Sequence, residues 1–331
     1  MIEKTVFTKK ILCEEIKSHY GIDIKKIKHI NRGSANIYIV TNKIKYVLKE
    51  YQSTYNKEKV EKDYITVNRL KDIYTYHYYL TNDDKPYFEY NNRICTLTNY
   101  ISGKLLLNKM SKSNLIRVAN LHGKITNLLK TYTDYEDKDN FVSFDTLQKN
   151  KQFMQNYICL NNTDKYGKLI TADYKEKINI INIFEKKFDF EKIATLTKTN
   201  CHGDYSNQQL IFNKNIYVID FAAASKIPVS WEIIRSYTYS DTKCRCGKIN
   251  IQNLVDYIQE FNKEFKLTKN DVEFMIDIYF IQLLSSNYGY KQNIGSVNKN
   301  LLKFASFRTA ILKDIAINYD FYKQKLSEIS L

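Results

Sequence analysis

Apolar residues recur at helical spacing from Phe7 to about Tyr20, through Ile11, Leu12 and Ile16, and Gly21 follows where a helix end favours a left-handed residue. Alternation then takes over. Ile22, Ile24, Ile27 and Ile30 lead to a turn at Asn31-Arg32-Gly33-Ser34, and Ile37, Ile39, a turn at Asn42-Lys43, Tyr46 and Leu48 read as a hairpin. Residues 56–72 return to helical spacing through Val60, Tyr64, Val67 and Leu70, and strands are predicted around 75–81 and 93–98 beside Asp-, Asn- and Pro-containing turns. The first hundred residues therefore predict an antiparallel sheet with one inserted helix.

Beyond Gly103 the pattern is mainly helical, with amphipathic segments near 112–131, 145–160, 173–188, 228–239, 250–264, 269–287 and 297–326. One β island interrupts them between Cys201 and Phe221, where two short apolar strands, 210–212 and 217–219, flank an Asn213-Lys214-Asn215 turn. No repeat of fixed period occurs. The expectation is an α+β chain of two lobes: a small antiparallel β lobe over 1–98, a hinge at 99–103, and a larger helical lobe over 104–331 carrying the hairpin.

Composition narrows the class. Only 9 Gly and 2 Pro in 331 residues argue against collagen, Pro-rich linkers and turn-dense all-β folds, and 44% hydrophobic residues supply a core that low-hydropathy disorder lacks. Lys and Arg number 51 against 36 Asp and Glu, a net +15 that suits an anionic partner. That charge is spread along the chain, among the Lys, Asn, Ile and 28 Tyr that A/T-rich codons favour, so it names no partner. Nucleic acid rests on charge alone and is not expected.

The six cysteines include no CxxC pair, and Cys244 and Cys246 have no histidine near them in sequence, so the expectation is free thiols in a reducing cytoplasm. Nowhere do 18 uncharged apolar residues run together, and neither a signal peptide nor a membrane span is predicted.

The chemistry concentrates in the β island, which reads His202-Gly203-Asp204-Tyr205-Ser206-Asn207-Gln208-Gln209 and then Val218-Ile219-Asp220-Phe221. Two carboxylates bracket a hairpin. Phosphoryl transfer uses such an arrangement: one carboxylate takes the proton of an acceptor hydroxyl, and another on a nearby strand end holds magnesium against nucleotide phosphates.

This pair of motifs resembles the aminoglycoside phosphotransferase and choline kinase superfamily, whose catalytic loop reads HGDxxxxN and whose metal-binding aspartate follows a short strand as IDF or IDW. The resemblance implies a protein-kinase-like fold with Asp204 as catalytic base or hydroxyl-orienting group, Asp220 as a magnesium ligand, and His202 as an organiser of the loop. The family's asparagine falls on Gln209, which keeps the amide one methylene longer, so Gln209 is the expected second ligand and Asn207 the alternative. Upstream, Gly33 and Ser34 match the loop covering the phosphates, although an ordinary hairpin turn reads the same. Lys49, in Val47-Leu48-Lys49, matches the lysine that contacts the α- and β-phosphates, with Asp63 its acidic helix partner and Glu61 the competitor. Asn99 and Ile101 fall in the connector whose backbone reads an adenine edge.

Leu121-His122 matches a recurrent family position and is read as a packed helical histidine. Trp231 is read as core, and Glu232 with Arg235 as a structural ion pair. The likeness is weakest past about residue 245, where the acceptor pocket would be built; 241–245 and 285–290 are its candidate linings. The implied function is transfer of the γ-phosphate of ATP or GTP, with Mg2+, to a hydroxyl of a small molecule such as a sugar, amino alcohol, amino acid or antibiotic. The alternative is a non-catalytic nucleotide-binding protein like the kinase-like spore-coat proteins of the same superfamily. Acceptor and oligomeric state do not follow from the sequence.

Overall fold

The structure, a computed structural model, describes residues 3–32, 35–107, 109–132, 135–137, 142–160, 164–294 and 298–331. The chain divides into two compact units, Met1–Leu106 with Gln208–Ala224, and Leu107–Asn207 with Ser225–Leu331.

The first unit opens with helix α1 (Lys9–Tyr20), started by the Thr8 hydroxyl accepting from the Ile11 N–H and ended by Gly21 at φ 66°. Strands β1 (Lys26–Arg32), β2 (Ala35–Thr41) and β3 (Lys45–Glu50) follow, then helix α2 (Lys57–Arg69), β4 (Tyr78–Tyr79), β5 (Phe88–Tyr90) and β6 (Arg93–Asn99). These strands form one antiparallel sheet in the order β1-β2-β3-β6-β4, with β5 also paired to β6. Leu12 and Ile16 of α1 cover one face, against Tyr38, Val40, Tyr46, Leu48 and Leu97. Period-2 alternation makes this inevitable: the even-numbered residues of β2 and β3 are spent on the core, which turns Val47 and Lys49 to the other face.

The second unit contains α3 (Lys112–Leu129), α4 (Phe144–Cys159), α5 (Lys165–Phe184), the short α6 (Phe190–Ala194) and strand β7 (Lys198–Cys201). The chain then returns to the first unit for the hairpin of β8 (Leu210–Phe212) and β9 (Ile216–Val218). Back in the second unit are β10 (Ser225–Pro228), α7 (Val229–Ser240), α8 (Ile251–Glu264), α9 (Lys269–Glu273), α10 (Met275–Ser285) and α11 (Lys299–Ser327). Strand β10 pairs antiparallel with β7, Cys201 opposite Ser225, bringing together the chain before and after residues 202–224.

The architecture is the expected one of an antiparallel β unit and a mainly helical one. The hairpin differs from the sequence expectation in its company. Lys104 and Phe212 exchange backbone hydrogen bonds at 2.8 Å each way, and the Val218 N–H donates to the Tyr74 carbonyl at 2.9 Å, so β8–β9 groups with the first unit. A two-stranded hairpin cannot bury itself and takes the nearest backbone edge. Gly103 permits the approach: a Cβ there would stand 2.7 Å from the Phe212 carbonyl oxygen. Helix α5 begins at Lys165, earlier than the periodicity suggests, because Asp164 caps it by accepting from the Tyr166 and Gly167 N–H groups. The segment 269–287 is two helices, broken at Phe274, where φ −101° and ψ 10° leave the helical region.

Candidate active site

In the first unit Lys49 lies on β3 opposite Thr96 of β6, on the face that α1 does not cover. Its Nζ is 3.9 Å from Asp220 Oδ1. Burial alone would lower the Lys49 ammonium, but the Asp220 and Asp63 carboxylates outweigh it and hold the group above its ordinary value. Asp63, on the buried side of α2 and only 3% exposed, accepts hydrogen bonds from the Tyr76 and Tyr78 hydroxyls at Oδ2, while its Oδ1 is buried without a hydrogen-bond partner. Burial and then the Asp220 charge push its carboxyl up, with Lys49 and the two phenols pulling the other way. Glu61 faces elsewhere and accepts from Tyr87 at 3.2 Å. Sequence reasoning did not find the two tyrosines, although Tyr76 and Tyr78, two apart in an extended segment, could share a side and reach one carboxylate.

Asp220 follows β9 in the left-handed region, at φ 71° and ψ 64°. Aspartate tolerates this conformation better than most residues, and a non-glycine residue held there marks a position fixed by its surroundings. The following turn is held to α2 by Lys62, whose Nζ donates to the Ala224 carbonyl at 2.7 Å. Beside Lys49 is a cavity of about 130 Å3, with Val47, Ile211 and Ile219 as apolar walls and Thr98, Asn99 and Ile101 along one edge. At that edge the Asn99 side chain takes the His77 N–H at 2.8 Å, and the Ile101 N–H has no hydrogen-bond partner among the described residues. A larger open groove of about 680 Å3, with Lys9, Lys25, Lys26, Lys28 and Lys45 around it, borders edge strand β1, where lysines oppose edge-to-edge pairing.

In the second unit the His202–Asn207 loop leaves β7 through Gly203, whose φ of 79° suits glycine. The Gly203 N–H donates to Glu232 of α7. Glu232 is wholly buried and lies 3.2 Å from Nε2 of His122, whose Nδ1 is 3.0 Å from the Tyr257 hydroxyl. The network assigns the imidazole proton to Nε2, with Nδ1 accepting from Tyr257. Burial lowers His122 despite Glu232, and for Glu232 the same burial is overcome by hydrogen bonding from His122 and from the Gly203 N–H. A neutral imidazole beside a carboxylate is the consistent state. The His122 ring also stacks on Tyr205 with centroids 4.3 Å apart, and the Tyr205 hydroxyl donates to the Val118 carbonyl at 2.9 Å.

Asp204 is bound by Arg235, whose Nη2 donates to its Oδ1, and the guanidinium lies 4.8 Å from the Tyr239 ring centroid. The expected Glu232–Arg235 pair is not formed: successive turns of α7 send Glu232 to the loop backbone and Arg235 to the loop carboxylate. Asn207 is wholly buried, its Nδ2 donating to the Leu107 carbonyl at 3.1 Å, and its Oδ1 is buried without a partner.

Lys49, Asp63, Asn99, Ile101, Gln209 and Asp220 thus lie in the first unit and Asp204 in the second, whereas Gly33 and Ser34 fall outside the described residues. The carbonyl of Gln209 accepts from the Ile219 N–H at 2.9 Å across the hairpin. Among the described residues no group of three or more His, Cys, Asp or Glu side chains could hold a metal. The Asn207 Oδ1, without a partner among the described residues, is an amide oxygen of the kind that binds a hard cation.

No family model matches the chain, and no curated protein matches it in sequence. Solved structures do. A spectinomycin phosphotransferase in complex with ADP and spectinomycin aligns with a TM-score of 0.66 at 16% identity, over 97% of this chain and 100% of that one. An aminoglycoside phosphotransferase from Alicyclobacillus acidocaldarius gives 0.66 at 12% identity, over 99% and 98%. This chain has the aminoglycoside phosphotransferase and choline kinase fold. An ethanolamine kinase of Plasmodium vivax shares that phosphotransferase fold, with a TM-score of 0.62 at 14% identity over 98% of this chain and 93% of its own.

Proposed function

We propose that this protein is a phosphotransferase that moves the γ-phosphoryl group of ATP or GTP to a hydroxyl of a small molecule. The observation that carries the reading is Lys49, 3.9 Å from Asp220 and in the field of Asp63, at a cavity that Val47, Asn99, Ile101, Ile211 and Ile219 also line. An aromatic base fits apolar walls, and its hydrogen-bonding edge fits the unpartnered Ile101 N–H and the Asn99 carbonyl. Lys49 contacts the α- and β-phosphates, and Asp63 with its two tyrosines keeps the lysine in place.

Asp220, with the amide oxygen of Gln209 or Asn207, would hold a magnesium ion, which would supply neutralisation of charge on the nucleotide phosphates. Asp204 orients the acceptor hydroxyl, and Arg235 fixes the carboxylate by occupying one of its oxygens. The acceptor oxygen bonds to the γ-phosphorus as the bond from that phosphorus to the bridging oxygen breaks. The electron pair leaves with the nucleoside diphosphate, and the hydroxyl proton passes to Asp204. The chain's contribution is placement and charge.

A cytoplasmic setting suits the reading: none of the six cysteines forms a disulfide, and no helix of the described residues is long and apolar enough to cross a membrane. The test is nucleoside diphosphate release by purified protein given ATP or GTP, Mg2+ and a panel of hydroxyl compounds, with the Asp204→Asn variant beside it. Transfer that D204N lowers by about 100-fold or more supports the enzyme. Nucleotide binding without transfer to any compound favours a kinase-like scaffold, the reading that Gln209 in place of asparagine motivates.

A further inference from the structure

Two basic side chains, Arg308 and Lys177, are buried in the second unit, both bonded to Ser286, and neither forms an ion pair among the described residues. Arg308 of α11 is 8% exposed; its Nη1 donates to Ser286 Oγ at 2.9 Å and its Nη2 to Gln282 Oε1 at 3.0 Å. Its Nε is buried with no partner, and among the described residues no carboxylate is within ion-pair distance of the guanidinium. Lys177 of α5 is 3% exposed and donates to the Leu283 and Ser286 carbonyls at 2.8 and 2.6 Å, again with no ion pair. Burial and then the Arg308 charge bring its ammonium down to about 7. The nearest carboxylate by its field, Asp173, accepts from Tyr290 at 2.6 Å and from Ser306 at 3.4 Å. Burial lets Lys177 give up its proton, whereas the Arg308 guanidinium stays charged, and a buried guanidinium with an unpaired N–H gains from an anionic group beside it.

The surroundings point to an organic ligand. Ser285 Oγ and Asn287 Oδ1, at the end of α10, are also buried without partners. Phe304 lies 5.8 Å from the Arg308 guanidinium and 5.4 Å from the Tyr239 ring, and Tyr239 packs on Arg235, which binds Asp204. A continuous path of contacts thus runs within one unit from the unsatisfied Arg308 to the carboxylate assigned to the acceptor hydroxyl. Among the described residues that path begins at a guanidinium and passes along aromatic rings, and the one carboxylate it reaches, Asp204, already pairs with Arg235.

We propose that the acceptor carries a carboxylate as well as its hydroxyl, the carboxylate binding at Arg308 and Ser285 and the body of the molecule lying along Phe304 and Tyr239. A guanidinium with Nε free offers the edge that pairs two N–H groups with one carboxylate. The inference names the acceptor class for the phosphotransferase reading and rests on it.

The test uses the full chain with D-glycerate and L-homoserine as hydroxy acids, glycerol and ethanolamine as acceptors without an acid group, and glycerol 3-phosphate as a phosphate-bearing competitor. Diphosphate release is measured with ATP and Mg2+, and binding by calorimetry with AMP-PNP present. The expected result is turnover of a hydroxy acid in preference to all three others, with Arg308→Gln raising its KM by roughly 30-fold, as loss of a charge-assisted hydrogen-bonded pair predicts, and Arg308→Lys restoring part of it. Preferred turnover of glycerol, ethanolamine or glycerol 3-phosphate overturns the proposal, as does a hydroxy-acid KM unchanged in R308Q. If R308Q does not fold by circular dichroism, the wild-type preference decides. Binding of a hydroxy acid that R308Q abolishes, with no diphosphate from any compound, keeps the carboxylate site and overturns the phosphotransferase reading alone. Binding of neither hydroxy acid overturns the site itself.

Discussion

Lys49 and Asp220 stand 3.9 Å apart across the first unit, one on the third strand and the other on a left-handed turn after the ninth. Asp63, the helix carboxylate in the same field, accepts from two tyrosine hydroxyls at one oxygen and forms no ion pair among the described residues. The lysine is therefore shared between two acids, one of which a metal would draw away.

Lys49→Met should lower kcat/KM for nucleotide by about 100- to 1,000-fold, because it removes a cation that meets phosphate charge as it develops. Steady-state kinetics with coupled detection of nucleoside diphosphate measure this. A change under about threefold would remove Lys49 from the phosphate site.

The metal ligand can be decided between two amides. Asn207→Ala leaves the Leu107 carbonyl without its donor and deletes the unpartnered Oδ1, whereas Gln209→Ala leaves the backbone bond to Ile219 intact. If Asn207 is the ligand, N207A raises the Mg2+ concentration needed for half-maximal nucleotide binding by about tenfold or more while Q209A does not. The opposite ranking assigns the metal to Gln209.

Acid sensitivity should centre on His122. Its folded-state value is lowered from 6.5, so the unfolded chain takes up a proton that the folded chain refuses: stability is full above about pH 6.5 and is lost as pH falls below it. Glu232, also lowered, adds stability that is present above 4.5 and is lost as pH falls through its folded-state value. His122→Gln keeps a donor toward Glu232 without titrating, so urea midpoints between pH 5 and 7 should vary less in the variant. Equal slopes in the two proteins would remove His122 as the cause.

Lys177 acts at the other end of the scale. With a folded value of about 7 against 10.5 unfolded, it makes stability rise from pH 7 towards 10. The groups whose charge reaches it are Arg308, which lowers it, and Asp173, which raises it. Lys177→Met should flatten the urea-midpoint profile between pH 7 and 9.5, and an unchanged rise would show that other groups cause it.

Alternation and spacing along the chain determined the β-rich first part, the helical remainder and the two carboxylates bracketing a hairpin, because side-chain direction within one strand or helix is a local property. The same logic made Lys49 legible, the fifth residue of a strand whose Tyr46 and Leu48 are committed to the core. Tertiary structure alone decided the partners. Arg235 turned from Glu232 to Asp204, Asp63 acquired Tyr76 and Tyr78, and Arg308 and Lys177, 131 positions apart in the chain, became neighbouring buried basic side chains. No local pattern carries such pairings, since they depend on where long-range packing sets each backbone and on which polar groups it strips of water.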